Sequence, residues 1–225
     1  MTRQIVYLSK RLLWASITFL AVSFSLSAIA ETASDSSPKP GGYCPSPDIL
    51  LVAAEDLSAS VQLAMGSRAA LINQQPAMAM SKLTSTGTSL HLAASRGAAG
   101  RTILLIDAII QAKVGEDYAS MLTWFPVLKA SLRTLPQDET VIAASDLVDK
   151  AADIMQSDKG GDALVSLKQA RHMLTCDSLD IPLQAAIQDQ QSLLEQLGPN
   201  TKSSAYDSLI DSLRSALAYT LGAKE

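Results

Sequence analysis

The stretch PDILLVAAEDLSASVQLAMGSRAALIN, residues 47–73, sets the reading of the whole chain. Ile49, Leu50, Ala53, Leu57, Val61 and Ala64 recur at steps of three and four, the period of a helix that buries one face. Pro47 suits the first helical turn, where its missing N–H would have no partner anyway. The spacing therefore predicts a helix ending near Asn73.

The same period continues downstream. Pro76 starts a second helix carrying Met78, Leu83, Leu90 and Leu92, weakened by Thr84–Ser89, where Gly87 and the hydroxyl residues disfavour a helix interior. Ile103–Ile106 with Ile109 and Ile110 form a third; Asp107 interrupts the run and marks it as buried in protein rather than lipid. Gly115 ends that helix, and a fourth runs from about Asp117 until Pro126 kinks or breaks it. Pro136 and Asp138 open a fifth, Asp162 caps a sixth, Pro182 begins a seventh, and a last one follows Gly198-Pro199. No segment alternates with period two. The expected fold is all-α: one domain over 48–225 of about seven or eight amphipathic helices, packed as antiparallel helical hairpins.

Composition agrees. Of 225 residues 48% are hydrophobic and only 4% aromatic, so Ala, Leu, Ile, Val and Met must build the core. Ala, Leu and Met lose little rotamer freedom in helices.

The N-terminus reads as an export signal. Arg3, Lys10 and Arg11 precede an uncharged run from Leu12 to Ala30, which ends in the small-x-small pattern Ala28-Ile29-Ala30. Cleavage is expected between Ala30 and Glu31, giving a periplasmic protein; an uncleaved anchor is the competing reading, against which Ser16, Thr18, Ser23, Ser25 and Ser27 dilute the run. Removing 1–30 takes Lys plus Arg from 18 to 15 against 22 Asp plus Glu, a net charge of −7. Such an acidic surface argues against nucleic acid and anionic lipid as partners. Residues 31–47, rich in Ser, Pro and Gly, read as a flexible leader. Beyond the signal lie two cysteines, Cys44 and Cys176, a candidate disulfide in an oxidising compartment, with two free thiols as the alternative.

From Val127 to Leu194 the chain resembles the YfdX family of bacterial envelope proteins. The resemblance is carried by Val127-Leu128-Lys129-Ala130-Ser131-Leu132, Val148-Asp149-Lys150-Ala151, Asp158-Lys159-Gly160-Gly161-Asp162-Ala163-Leu164 with Leu167 and Ala170, then Ile181-Pro182-Leu183 and Leu193-Leu194. These are turns, caps and core positions, and they cover about a third of the chain. The resemblance implies a periplasmic helical protein linked to stress and acid responses, with no catalytic residues to carry over. The two cysteines, the Trp124-Phe125-Pro126 bend and the C-terminal helix depart from the family pattern.

Patterns that carry chemistry are sparse. His172 and Cys176, four apart with Asp177 and Asp180 nearby, have metal-ligand spacing, but a stable zinc site needs three or four ligands. His91 follows the hydroxyl-rich 84–89 stretch without a nucleophile-elbow signature. Arg96-Gly97-Ala98-Ala99-Gly100-Arg101 could cradle an anion at a helix start, or simply form a compact turn. Asp146, Asp149 and Asp153 share one helix face, which reads as solvated. No catalytic, cofactor or metal residue is assigned. Trp124 and Phe125, the only Trp and Phe beyond residue 30, are with Tyr118 the candidate binding residues, either a pocket wall or core filling at a kink. The expected function is non-enzymatic binding, chaperone-like under acid stress; the alternative is a small-ligand module with a pocket between helices near Trp124. Expected partners are an unidentified protein client or small molecule, a homo-oligomer being allowed, with no nucleic acid and no membrane after signal cleavage.

Overall fold

The computed structural model describes residues 38–112, 117–157, 161–198 and 201–222. Nine α-helices stand among them: α1 Pro47–Ile72, α2 Pro76–Ala94, α3 Gly97–Ala112, α4 Tyr118–Leu122, α5 Phe125–Leu132, α6 Glu139–Ser157, α7 Ala163–Met173, α8 Asp177–Gln196 and α9 Asp207–Thr220, the last preceded by a 3₁₀ turn, Ser203–Tyr206. The described chain is all-α, and its main pairings are the hairpins α1–α2, α6–α7 and α8–α9.

Two packed regions make up the core. Helices α3 to α7 surround Ile106, Ile109, Met121, Phe125, Leu128 and Val148. Helices α1, α2, α8 and α9 surround Leu57, Leu83, Leu90, Tyr206, Leu209 and Leu213. Most buried positions of α1 and α2 are small, among them Ala53, Ala64, Ser67, Ala79 and Gly87, so these helices approach closely.

The Thr84–Ser89 stretch does not interrupt α2, which runs unbroken through it. Thr84, Ser85, Thr86 and Thr88 donate their hydroxyls to the carbonyls of Met80, Ser81, Lys82 and Thr84, one turn back. Gly87 is there for its missing side chain: a Cβ would lie 2.7 Å from Gln190 Nε2. That buried amide donates to Leu83 O at 3.0 Å, tying α8 to α2. On the far side Ser67 Oγ donates to Ala79 O (2.6 Å) and lies 2.8 Å from Tyr206 Oη. Burial raises the Tyr206 phenol above its ordinary value, the Ser67 contact opposing it.

Other boundaries follow the sequence with two differences. The expected fourth helix is two short ones, and Pro126 sits in the first turn of α5, where a proline is tolerated. The seventh expected helix begins at Asp177, five residues before Pro182. Pro182 cannot bond Ser178 O, but Ser178 is exposed and water can serve that carbonyl, so the helix continues.

The end of the 31–47 segment is held rather than loose. Gly41 N donates to His172 O, Tyr43 N to Thr175 O, and Asp177 N to Gly41 O, a short antiparallel bridge against the α7–α8 turn. Gly41 adopts φ +74°, and a Cβ there would strike the Asp177 carboxylate.

Candidate functional site

The strap formed by residues 41–45 closes over a cleft at the junction of the two packed regions. Cys44 and Cys176 are joined in a disulfide, with Cα atoms 4.5 Å apart. Tyr219 Oη lies 3.0 Å from Cys176 Sγ. Beneath the strap, Tyr43, Pro45, Ile49, Ile103 and Leu183 line a largely apolar space with Arg96 and Asp180 at its edge. Its volume is about 60 Å³. Small-molecule sites start near ~300 Å³, so as it stands this space holds waters rather than an organic ligand.

Both edge charges are committed elsewhere. Arg96 grips Asp56 of α1 in a bidentate pair, Nη2 to Oδ1 at 2.9 Å, and the bond to Asp56 holds its guanidinium above the ordinary value. Arg171 of α7 donates Nε to Asp107 Oδ1 (2.8 Å) and forks onto Asp180 Oδ2 and Oδ1 (2.9 and 3.1 Å). Burial works against its charge, but the two carboxylates outweigh it and its pKa rises. Burial raises Asp107 above the usual carboxylate range despite Arg171, with Asp180 adding repulsion. These bridges tie α3, α7 and α8 together and leave neither arginine open to an anion. The Arg96–Arg101 segment is thus the compact turn: Gly97 takes φ +77° and a Cβ on Gly100 would meet Ala94 O at 2.6 Å.

The remaining sequence-marked residues do not assemble into chemistry. His172 and Cys176 do not share a helix face, because α7 ends at Met173 and Cys176 precedes α8; His172 Nε2 meets Asp177 Oδ2 at 3.3 Å instead. Among the described residues no group of three His, Cys, Asp or Glu could hold a metal. His91 is exposed on α2. Asp146, Asp149 and Asp153 are exposed along α6, with Asp149 paired to Lys129. Phe125 is buried and Tyr118 half-buried against the same cluster, while Trp124 is 47% exposed. None of the three lines the cleft beneath the strap. Ala28, Ala30 and Glu31, where signal cleavage is expected, lie outside the described residues.

The surface that stands out is on α1, and the sequence reading missed it. Ala53, Leu57, Ser60, Ala64 and Ser67, at steps of four and three, form the face packed inside the domain. Leu51, Glu55, Ser58, Gln62, Met65, Ala69 and Ile72 repeat that step pattern two residues out of phase, about 200° around the helix. This second stripe is open: Leu51 is 60%, Met65 49% and Ile72 62% exposed. Two shallow hollows lie alongside it against α9, one with Leu217 and Leu221 beside Leu51, the other with Ile210 and the pairs Arg68–Asp207 and Arg214–Asp211 beside Met65. By length and composition alone α1 could cross a membrane, at a mean hydropathy of 1.4. Leu51, Met65 and Ile72 stand at the two ends of this stripe with Glu55, Ser58 and Gln62 between them, so the period of buried positions at 47–73 does not reveal it.

No described family, no curated protein and no solved structure matches the chain.

Proposed function

We propose that the chain is an exported, periplasmic helical protein of the YfdX type that acts by binding and not by catalysis, holding apolar segments of other proteins under acid stress. The observation that carries this reading is the open stripe of α1, where Leu51, Met65 and Ile72 stand exposed beside α9. Exposed apolar side chains on a rigid helix bind apolar segments of many sequences, because burial of such surface is non-directional. The disulfide and the apolar N-terminus are compatible with secretion. Acid enters through composition: 22 carboxylates lose charge as pH falls towards about 4, and the remaining Lys and Arg then repel. Looser packing would expose more of the same helix faces.

The test is light scattering from an acid-sensitive client at about pH 4 and about pH 7. Stronger suppression at the lower pH, lost in the Leu51→Asp/Met65→Asp variant, is expected. Equal aggregation with and without the protein ends the proposal.

A further inference from the structure

We propose that the strap of residues 41–45 is a thiol-operated gate: an external dithiol cuts the Cys44–Cys176 bond from the Cys44 side, and the freed strap leaves the apolar cleft that it covers. The inference concerns a different part of the molecule from the functional reading and does not depend on it.

The two sulfurs stand in unlike surroundings. Cys44 is exposed on the strap, whereas Cys176 is 5% exposed and belongs to the core of α1, α2, α8 and α9. An attacking thiolate therefore reaches the Cys44 sulfur and not its partner, since exchange depends on access to the sulfur attacked. Tyr219 Oη lies 3.0 Å from Cys176 Sγ. A disulfide sulfur carries no proton, so the phenol is the donor. The same O–H is in place for the thiolate that departs when the bond breaks, and hydrogen bonds to an anion are the stronger kind. An anion released into so buried a position without a donor would be costly. The carboxylate next in sequence, Asp177, meets His172 Nε2 at 3.3 Å.

The exchange balances. The first thiolate of the reductant attacks Cys44 Sγ, the bond to Cys176 breaks, and its electron pair leaves on Cys176. The second thiolate then attacks the reductant's own sulfur in the mixed disulfide, closes a cyclic disulfide and expels the Cys44 thiolate. Both cysteines take up the protons that the dithiol lost. The protein gains two electrons and the dithiol gives them up.

Little then fastens the strap. Three backbone hydrogen bonds hold it to the α7–α8 turn: Gly41 N to His172 O at 2.8 Å, Tyr43 N to Thr175 O at 2.9 Å, and Asp177 N to Gly41 O at 2.9 Å. Such bonds contribute little net, because water replaces them, and a segment held this way can open without the rest of the fold. Tyr43 and Pro45 are the strap's share of the cleft wall; once they leave, Ile49, Ile103, Leu179 and Leu183 face solvent. The cleft is framed without the strap, by the Arg96–Asp56 pair and by the bridges from Arg171 to Asp107 and Asp180.

Hydrogen exchange followed by NMR on the full chain, with and without excess dithiothreitol, tests the gate. The amides of Gly41, Tyr43 and Asp177 should exchange at least about tenfold faster after reduction, while Leu57 and Leu183 remain protected. Nile red, a neutral apolar dye, should brighten on the reduced protein. The Cys44→Ser/Cys176→Ser variant should show both properties without reductant. Strap amides that exchange alike in both redox states overturn the gate. Loss of protection throughout the molecule also overturns it, since the bridge would then hold the whole fold and not a lid. Stoichiometric mercaptoethanol, quenched with acid and mapped by mass spectrometry, reads the direction: the mixed disulfide is expected on Cys44, and one on Cys176 overturns that direction. Tyr219→Phe should slow reduction by about three- to tenfold, the worth of one hydrogen bond, with strap exchange in the oxidised protein unchanged. A rate equal to the wild type or faster overturns the part given to Tyr219.

Discussion

The two packed regions reach the same burial with a different share of small residues, which is highest on α1 and α2. Around α3 to α7 the core is filled by volume, with Phe125, Met121, Leu128, Ile106 and Ile109 interdigitating. Around α1, α2, α8 and α9 many buried positions are Ala, Ser, Thr or Gly, and the helices close up until polar groups meet across them: Gln190 on Leu83 O, Ser67 on Ala79 O and Tyr206. The first kind of core tolerates swaps of similar volume. The second depends on the absence of atoms at particular positions and on hydrogen bonds that must all be made, since a buried group left unpaired costs about 1–3 kcal/mol. Small residues also leave α1 with apolar surface to spare on its other side.

The largest perturbation should come from the covalent tie at the boundary of the two regions. Cys44 and Cys176 are 132 residues apart. In the chain-entropy model, closing so long a loop contributes about 5 kcal/mol. Cys44→Ser/Cys176→Ser should therefore lower the denaturant midpoint by the largest step. If α3–α7 and the remainder then melt separately, the bridge is what makes them one cooperative unit; an unchanged midpoint would show that the backbone bonds of the strap suffice.

Within the volume-filled region, Phe125→Ala should cost about 3–5 kcal/mol by urea denaturation, the penalty for emptying a large buried side chain. A loss below about 1 kcal/mol would mean that this core collapses onto the gap and is looser than described.

The close-packed region should fail in the opposite direction, by addition. Gly87→Val brings side-chain atoms against the Gln190 amide and should cost about 1–3 kcal/mol, even though valine is more hydrophobic. A stabilising Gly87→Val would remove the distinction between the two regions.

The smallest effect concerns pH and the bridge joining them. Asp107 has a folded pKa above its ordinary value because it is buried, so the folded chain takes up its proton more readily than the unfolded chain. That contribution is fully present at pH below the unfolded value of about 3.9 and is lost as pH rises through the folded value. Relative to Asp107→Asn, the wild type should thus gain stability as pH falls from about 7 to about 4. A stability difference independent of pH would place Asp107 in a more solvated setting than its contacts indicate.

Much of the fold was legible because helices announce themselves locally. The starts at Pro47, Pro76 and Asp162 were correct to within one residue, since a proline or an N-cap aspartate acts on its own turn. Pro182 misled because its effect depends on whether Ser178 O can reach water, a property of the surface rather than of the turn. In the Thr84–Ser89 stretch propensity penalises Gly87, while the crossing of α8, invisible in the sequence, requires it. Among candidate site residues, the count of two cysteines made Cys44 and Cys176 a candidate pair, with free thiols the alternative until the structure joined them. Trp124 and Phe125 drew notice for their rarity, but rarity does not say which ring points outward.

Sequence alone determined the helices, their approximate ends and the acidic balance, and it offered the chain's two cysteines as a candidate pair that the structure joins. Each is set by one residue type or by a short-range period. Tertiary structure decided which stripe of α1 is covered, which small residues are contact points, and that Arg171 serves two carboxylates from different helices. Those depend on groups up to more than a hundred residues apart arriving at one place. At 47–73 the period said that a helix forms; only the packing of α2 and α9 showed that Leu51, Met65 and Ile72 remain open.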